Sequence, residues 1–190
     1  MLFRNYLKRI INLGPFGMRH FGRGSFILMP RRLIGATYMT IGASVSIDRH
    51  SWLAAYGEYA GYAYTPRIMI GDHVTIGRHA CITAINRIEI GSNCLLSEQV
   101  YISDHSHGND PLSGPAVRQP LVSKGPVIIG DDTFIGYRAC ILPGVTLGRN
   151  CVVGANAVVT RSFPDFSMVA GAPARIIKRY SAEKVQWISA

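Results

Sequence analysis

The sequence predicts an all-β fold, a solenoid of stacked three-sided coils, and three observations predict it. From Ile129 the chain reads IGDDTF IGYRAC ILPGVT LGRNCV VGANAV VT, so that Ile129, Ile135, Ile141, Leu147, Val153 and Val159 recur at every sixth residue. The fifth position of each unit holds Thr133, Ala139, Val145, Cys151 and Ala157, which are small or β-branched. The same period appears earlier in two phases: Ile70, Ile76 and Ile82 lead one block, and after a two-residue slip Ile90, Leu96 and Ile102 lead the next. A weaker version begins near Ile34.

A period of six suits neither an amphipathic helix nor simple strand alternation. It suits short flat strands joined by tight corners, with one large aliphatic per side pointing inward and a small residue at each crowded corner. Glycine after the aliphatic is expected to supply turn conformations that other residues resist. Stacked coils then bury a continuous aliphatic column that no single unit buries alone.

At 190 residues the chain reads as one domain, and at 48% hydrophobic content as an ordered one. No apolar stretch reaches the roughly 18 residues of a bilayer span. The N-terminus lacks the pattern of a signal peptide, because Gly14 and Pro15 cut its apolar run short. Cys81, Cys94, Cys140 and Cys151 have no metal-binding spacing and are expected at inward repeat positions, as reduced thiols of a cytoplasmic protein. The net charge of +9 is uneven: no acidic residue precedes Asp48, whereas Arg4, Lys8, Arg9, Arg19, Arg23, Arg31 and Arg32 do. Anionic lipid and phosphorylated small molecules are the candidate partners, and the absence of any nucleic-acid motif argues against nucleic acid.

The stretch ILPGVTLGRNCVVGANAVVTRSFPDFSMVAGAPARIIKR resembles the C-terminal coils of the hexapeptide-repeat acyltransferases. The resemblance covers about residues 65 to 180 and is strongest to the branch of maltose, galactoside and polysaccharide O-acetyltransferases. It implies a left-handed parallel β-helix over residues 34–180 with an extruded loop at 103–128. A basic N-terminal segment, 1–33, precedes it and a helical tail, 181–190, follows. It also implies a homotrimer that binds acetyl-CoA in a groove between neighbours, and a histidine that serves as general base.

Register with the family pattern places that histidine at His107, in VYISDHSHGNDP, with His105 as the second candidate. An imidazole titrates near neutral pH and can take the proton of an incoming hydroxyl as a thioester is attacked. Its other nitrogen needs an acceptor, for which Asp104, Glu98 and a backbone carbonyl are candidates. Asp104, Glu98 and Asn109 are the expected acceptor-side residues. A zinc site of Asp104, His105 and His107 is disfavoured by the His-x-His spacing, and His73 and His79 fall on different sides of a coil. A solvated loop pair is the plain alternative. The segment from Ser103 to Ile128, rich in Gly and Pro, reads as a structureless excursion that walls the sugar site.

For acetyl-CoA the resemblance implies Tyr137 and Ala155 beside the pantetheine arm and Thr160 and Arg161 near the adenine. Arg175 and Lys178 are implied at the phosphates. No metal is expected. Gly77 stands where sugar acetyltransferases of the family carry an acceptor-binding asparagine. Residues 2–13 pattern as a basic amphipathic helix, read first as a cap on the open solenoid end and second as an anchor at the inner membrane. The aromatic run from 48 to 68 is expected to pack around an irregular coil, and SAEKVQWISA to form a short docking helix. The activity expected is acetyl-CoA-dependent O-acetylation of a sugar during assembly of a bacterial surface polysaccharide. The alternatives are N-acetylation of a nucleotide-linked amino sugar and a non-catalytic carbohydrate-binding scaffold.

Overall fold

The computed structural model describes residues 17–190. Short strands pair in parallel, each with its counterpart one coil on, into three sheets that form the faces of a prism. The first face runs from His20–Phe21 through Met39–Ile41, Arg67–Ile70, Arg87–Ile90 and Val127–Ile129 to Thr146–Leu147. The second starts at Phe26–Ile27 and the third at Arg32–Ile34, so a complete coil already precedes residue 34.

The repeat pattern and the packing agree residue by residue. On the second face Ile27 sits beneath Ile47, then Ile76, Leu96, Ile135 and Val153. All of these side chains are fully buried. The corner positions Thr133, Ala139, Val145, Cys151 and Ala157 are buried as well. Polar ones are bonded: the Thr133 hydroxyl donates to the Gly148 carbonyl at 3.2 Å and the Cys94 thiol to that of Gly130 at 3.3 Å.

Two expectations about the corners change. Apart from Gly35, the glycines that follow the inward aliphatics are not the residues with positive φ. That conformation falls two places later, on Ser44, His73, Asn93, Asp132 and Asn150 at one corner and His50, His79, Gln99, Arg138 and Asn156 at the next. Each donates its backbone N–H to a carbonyl one coil below, as Ser44 does to Arg23, His79 to Arg49 and Asn156 to Tyr137. The glycines serve close approach instead: a Cβ on Gly130 would lie 2.5 Å from the Arg149 nitrogen, and one on Gly77 2.7 Å from Glu98. The cysteines also divide. Cys94 and Cys151 are buried inward, but Cys81 and Cys140 precede the inward aliphatic and lie on the outer side of the third face, in register with Trp52 and Tyr101.

The expected N-terminal helix of residues 2–13 lies outside the described residues. The expected C-terminal helix is a strand. Ala174–Ser181 turns back antiparallel on Ser167–Gly171, and Gln186–Ser189 adds to it, extending the second face to nine strands. Tyr180 stacks between Phe166 and Trp187, which gives this hairpin an apolar seam that a helix would have broken.

Irregularity is confined to the corner that follows the third face. The chain leaves there at 56–66, where Glu58–Tyr59 and Tyr62–Ala63 form a hairpin, again at 85–86, and again at 104–126. The last excursion is structured, contrary to expectation. Ser106–His107 pairs antiparallel with Leu121–Val122, a 3-10 turn covers Ala116–Arg118, and the buried Gln119 amide donates to the carbonyls of Asp110 and Gly114.

Gly130→Ala should destabilise the protein by about 1–3 kcal/mol through overpacking between coils, with Gly57→Ala, whose added methyl meets only the end of the Tyr38 side chain at 3.1 Å, costing less; urea denaturation of the two variants measures the difference.

Candidate active site

The two-residue slip in the repeat creates a local problem. After Cys81–Ala84 the chain takes two extra residues, and the backbone N–H groups of Ile85 and Asn86 point away from the regular ladder. Asp104, at the same corner one coil later, answers both: Oδ1 accepts from Ile85 at 2.9 Å and Oδ2 from Asn86 at 2.8 Å. Its side chain is fully buried. The next residue uses the same carboxylate, since His105 Nδ1 lies 2.9 Å from Asp104 Oδ1.

His105 is held from other directions too. Its backbone N–H donates to Ser103 Oγ at 3.2 Å, and Ser103 Oγ donates to the His105 carbonyl at 2.8 Å. Tyr56, the first residue of the first excursion, meets the imidazole edge-on at 6.2 Å between ring centroids. With the Nδ1 proton directed at Asp104, Nε2 keeps its lone pair for an incoming proton. The side chain is 10% exposed.

His107 stands differently. It is exposed on the strand opposite Leu121, and its ring contact is with Tyr59 at 5.3 Å. Glu98 forms an ion pair with Arg78 at 3.4 Å and does not meet either histidine, and Asn109 is exposed on the loop. The geometry therefore distinguishes the two histidines that the sequence ranked in the other order.

The aromatic run of the first excursion braces the third. The Tyr59 hydroxyl donates to the Val117 carbonyl at 3.3 Å, and Tyr64 accepts from the Leu121 N–H at 2.8 Å. Between them opens a cleft of about 420 Å³, lined by Tyr64, Thr65, Ile85, Asn86, Leu121 and Ser123. Another hollow of about 470 Å³ on the first face, around Glu89, Asp131, Arg149 and Asp165, carries no imidazole. Tyr56 was expected only to pack within the aromatic run, and Ser103 and the Ile85–Asn86 backbone were not expected at the site, although the slip at 83–88 was their signal.

Tyr137 and Ala155 come to one corner in successive coils, where the Asn156 N–H donates to the Tyr137 carbonyl at 2.8 Å. Thr160 and Arg161 leave the third face just beyond Val158–Val159, and Arg175 and Lys178 lie on Ala174–Ser181. All four are exposed. Among the described residues the three cations have no carboxylate partner, which suits them to phosphate. Gly77 is closed over by the Ser97–Glu98 backbone, so an asparagine side chain has no room there. His73 and His79 sit at different corners, and His79 stacks on His50 at 5.1 Å. Among the described residues no three His, Cys, Asp or Glu side chains converge as metal ligands.

A family model described as the hexapeptide repeat of succinyl-transferase matches residues 67–103 and 126–161. The chain is 36% identical over 126 residues to an Escherichia coli protein provisionally named the lipopolysaccharide biosynthesis O-acetyl transferase WbbJ, covering 63% of this chain and 64% of that one. It is 31% identical over 117 residues to the galactoside O-acetyltransferase of E. coli, covering 62% and 56%. A protein of Mycobacterium tuberculosis provisionally named an acetyltransferase is 40% identical over 116 residues, and the chain spans 38% of it. All three relatives are thus matched over less than two thirds of their length. Among solved structures, AntD, an N-acyltransferase from Bacillus cereus in complex with dTDP and 3-hydroxybutyryl-CoA, superposes with a TM-score of 0.71 at 21% identity over 96% of this chain and 90% of that one. At that identity the likeness is one of fold. In its repeats, its coil geometry and these relatives, the chain is similar to the hexapeptide-repeat acyltransferases.

Proposed function

We propose that this protein transfers an acetyl group from acetyl-CoA to a sugar hydroxyl, in assembly of a bacterial surface polysaccharide, with His105 as general base. The observation that carries the assignment is the fully buried Asp104 carboxylate 2.9 Å from His105 Nδ1. His105 Nε2 takes the proton of the acceptor hydroxyl as its oxygen attacks the thioester carbonyl. A backbone N–H at the coil edge steadies the tetrahedral oxyanion, and the departing thiolate recovers the proton from His105. Asp104 fixes the ring tautomer and favours the imidazolium formed in between.

Direct transfer is supported by the state of the cysteines. Burial pushes the Cys81 and Cys94 thiols up to about 11, and burial raises Cys151 as well. A thiol protonated at neutral pH is a poor acyl acceptor. Arg161, Arg175 and Lys178 would bind the cofactor's phosphates, and Tyr137, Ala155 and Thr160 its arm and base. In this reading the β-helix is left-handed and the enzyme is a cytoplasmic homotrimer with CoA between neighbours. Its basic N-terminus is available to an anionic inner-membrane surface. The names of the O-acetyltransferase relatives favour an oxygen acceptor.

With purified protein, acetyl-CoA and a panel of glycans, His105→Ala should lower kcat by about 10²–10⁴-fold, the usual contribution of a positioned base. His107→Ala should cost less than about tenfold. Wild-type kcat in the His105 variant would sink the assignment. Turnover of amino sugars alone would move the reaction to N-acetylation, and failure to bind CoA in calorimetry would leave a scaffold.

Asp104→Ala should cost about 2–4 kcal/mol in chemical denaturation, because it strands two backbone donors. Glu98→Ala, on an exposed pair, should cost under about 1 kcal/mol.

A further inference from the structure

Arg31 and Arg32 are cations without counterions. Both are exposed, and neither forms an ion pair among the described residues. The residues outside the described set contain no Asp or Glu to supply one. The two guanidiniums nevertheless share one position: Arg32 lies 5.1 Å and Arg31 5.9 Å from the centre of the Trp52 ring. Arg32 and Trp52 are neighbours in register on the outer side of the third face, and the Arg31 N–H donates to the Ser51 carbonyl at 2.8 Å. An indole that orders two like charges is an arrangement in search of an anion, since their repulsion has nothing else to offset it.

The direction of this surface matters as much as its charge. Trp52 opens the strand Trp52–Ala55, and Tyr56 follows it directly. Tyr56 in turn meets His105 edge-on. Burial pushes the Tyr56 phenol above its ordinary range, while its hydrogen bond with the Trp52 side chain and then the Arg32 charge draw it down, so the hydroxyl lies within reach of both the indole and that guanidinium. One continuous strip therefore joins the paired guanidiniums to the candidate base.

We propose that Arg31 and Arg32, stacked on Trp52, form a diphosphate-binding site that holds the carrier of an activated sugar acceptor while its hydroxyl reaches His105. Two adjacent guanidiniums match the two linked phosphoryl groups through charge-assisted hydrogen bonds. The acceptor class is then a sugar diphosphate rather than a free neutral glycan. That class rests on the acetyl-transfer reading, whereas the anion site does not. The diphosphate can belong to a nucleotide or to a polyprenyl lipid, and the chemistry recognised is common to both.

The test uses full-length protein saturated with CoA, so that the phosphates of the cofactor groove are already matched. Calorimetric titration with inorganic pyrophosphate, UDP and farnesyl diphosphate should show binding, weakened at least tenfold in R31Q/R32Q, with CoA affinity unchanged. UDP binding tighter than pyrophosphate assigns a nucleotide carrier, and tighter farnesyl diphosphate a lipid one. In a W187F background, where Trp52 is the remaining tryptophan, pyrophosphate should change the emission with the same midpoint. Unaltered pyrophosphate affinity in R31Q/R32Q, a loss of CoA affinity in that variant, or silent Trp52 emission would each overturn the proposal. If wild-type protein binds pyrophosphate but not CoA, the acetyl-transfer reading fails and the anion site stands.

Discussion

Coil-on-coil registration is the constraint on which this structure depends. Each strand takes its backbone hydrogen bonds from the coils above and below, not from its sequence neighbours, so every coil must rise by one strand spacing and repeat its corners in place. The inward aliphatics, the small corner residues and the glycines that let backbones approach are all consequences of that spacing. Even the costly left-handed backbone on ten or more non-glycine residues follows from it. Each such conformation lets an N–H reach the carbonyl of the coil below.

A scaffold under this constraint tolerates insertion only where the ladder is not interrupted. Here all three excursions leave from one corner, and stacking turns them into neighbours. Tyr59 and Tyr64, from the first, support the backbone of the third, and Asp104, at the root of the third, satisfies the slip between them. The candidate site thus lies where register breaks, and the same carboxylate that repairs the break orients an imidazole. Structural repair and the positioning of His105 are one set of hydrogen bonds around Asp104.

Charge follows a different logic. Ion pairs such as Arg149 with Asp165 and Arg78 with Glu98 join corners of adjacent coils and are exposed, so each adds little stability. The cations left unpaired are the informative ones. Arg161, Arg175 and Lys178 gather toward the last coils, and Arg31 and Arg32 lie on the first, so the cations without a carboxylate fall in two separate places.

By itself the sequence determined the prism, since a six-residue aliphatic period has one economical way to bury itself. It also marked the segment around His105 and His107, because a polar excursion from a regular repeat is visible without coordinates. Only the tertiary structure sets those histidines apart: residues two apart on a loop differ by which one meets a carboxylate, and that depends on the backbone of the coil below. The partners of Asp104 lie 18 and 19 residues away, and Arg32 meets Trp52 across 20. The C-terminal tail was missed for a related reason, as its strand is specified by pairing with Ala174–Ser181 rather than by a local pattern. Period is written along the chain, whereas contact between coils is written across it.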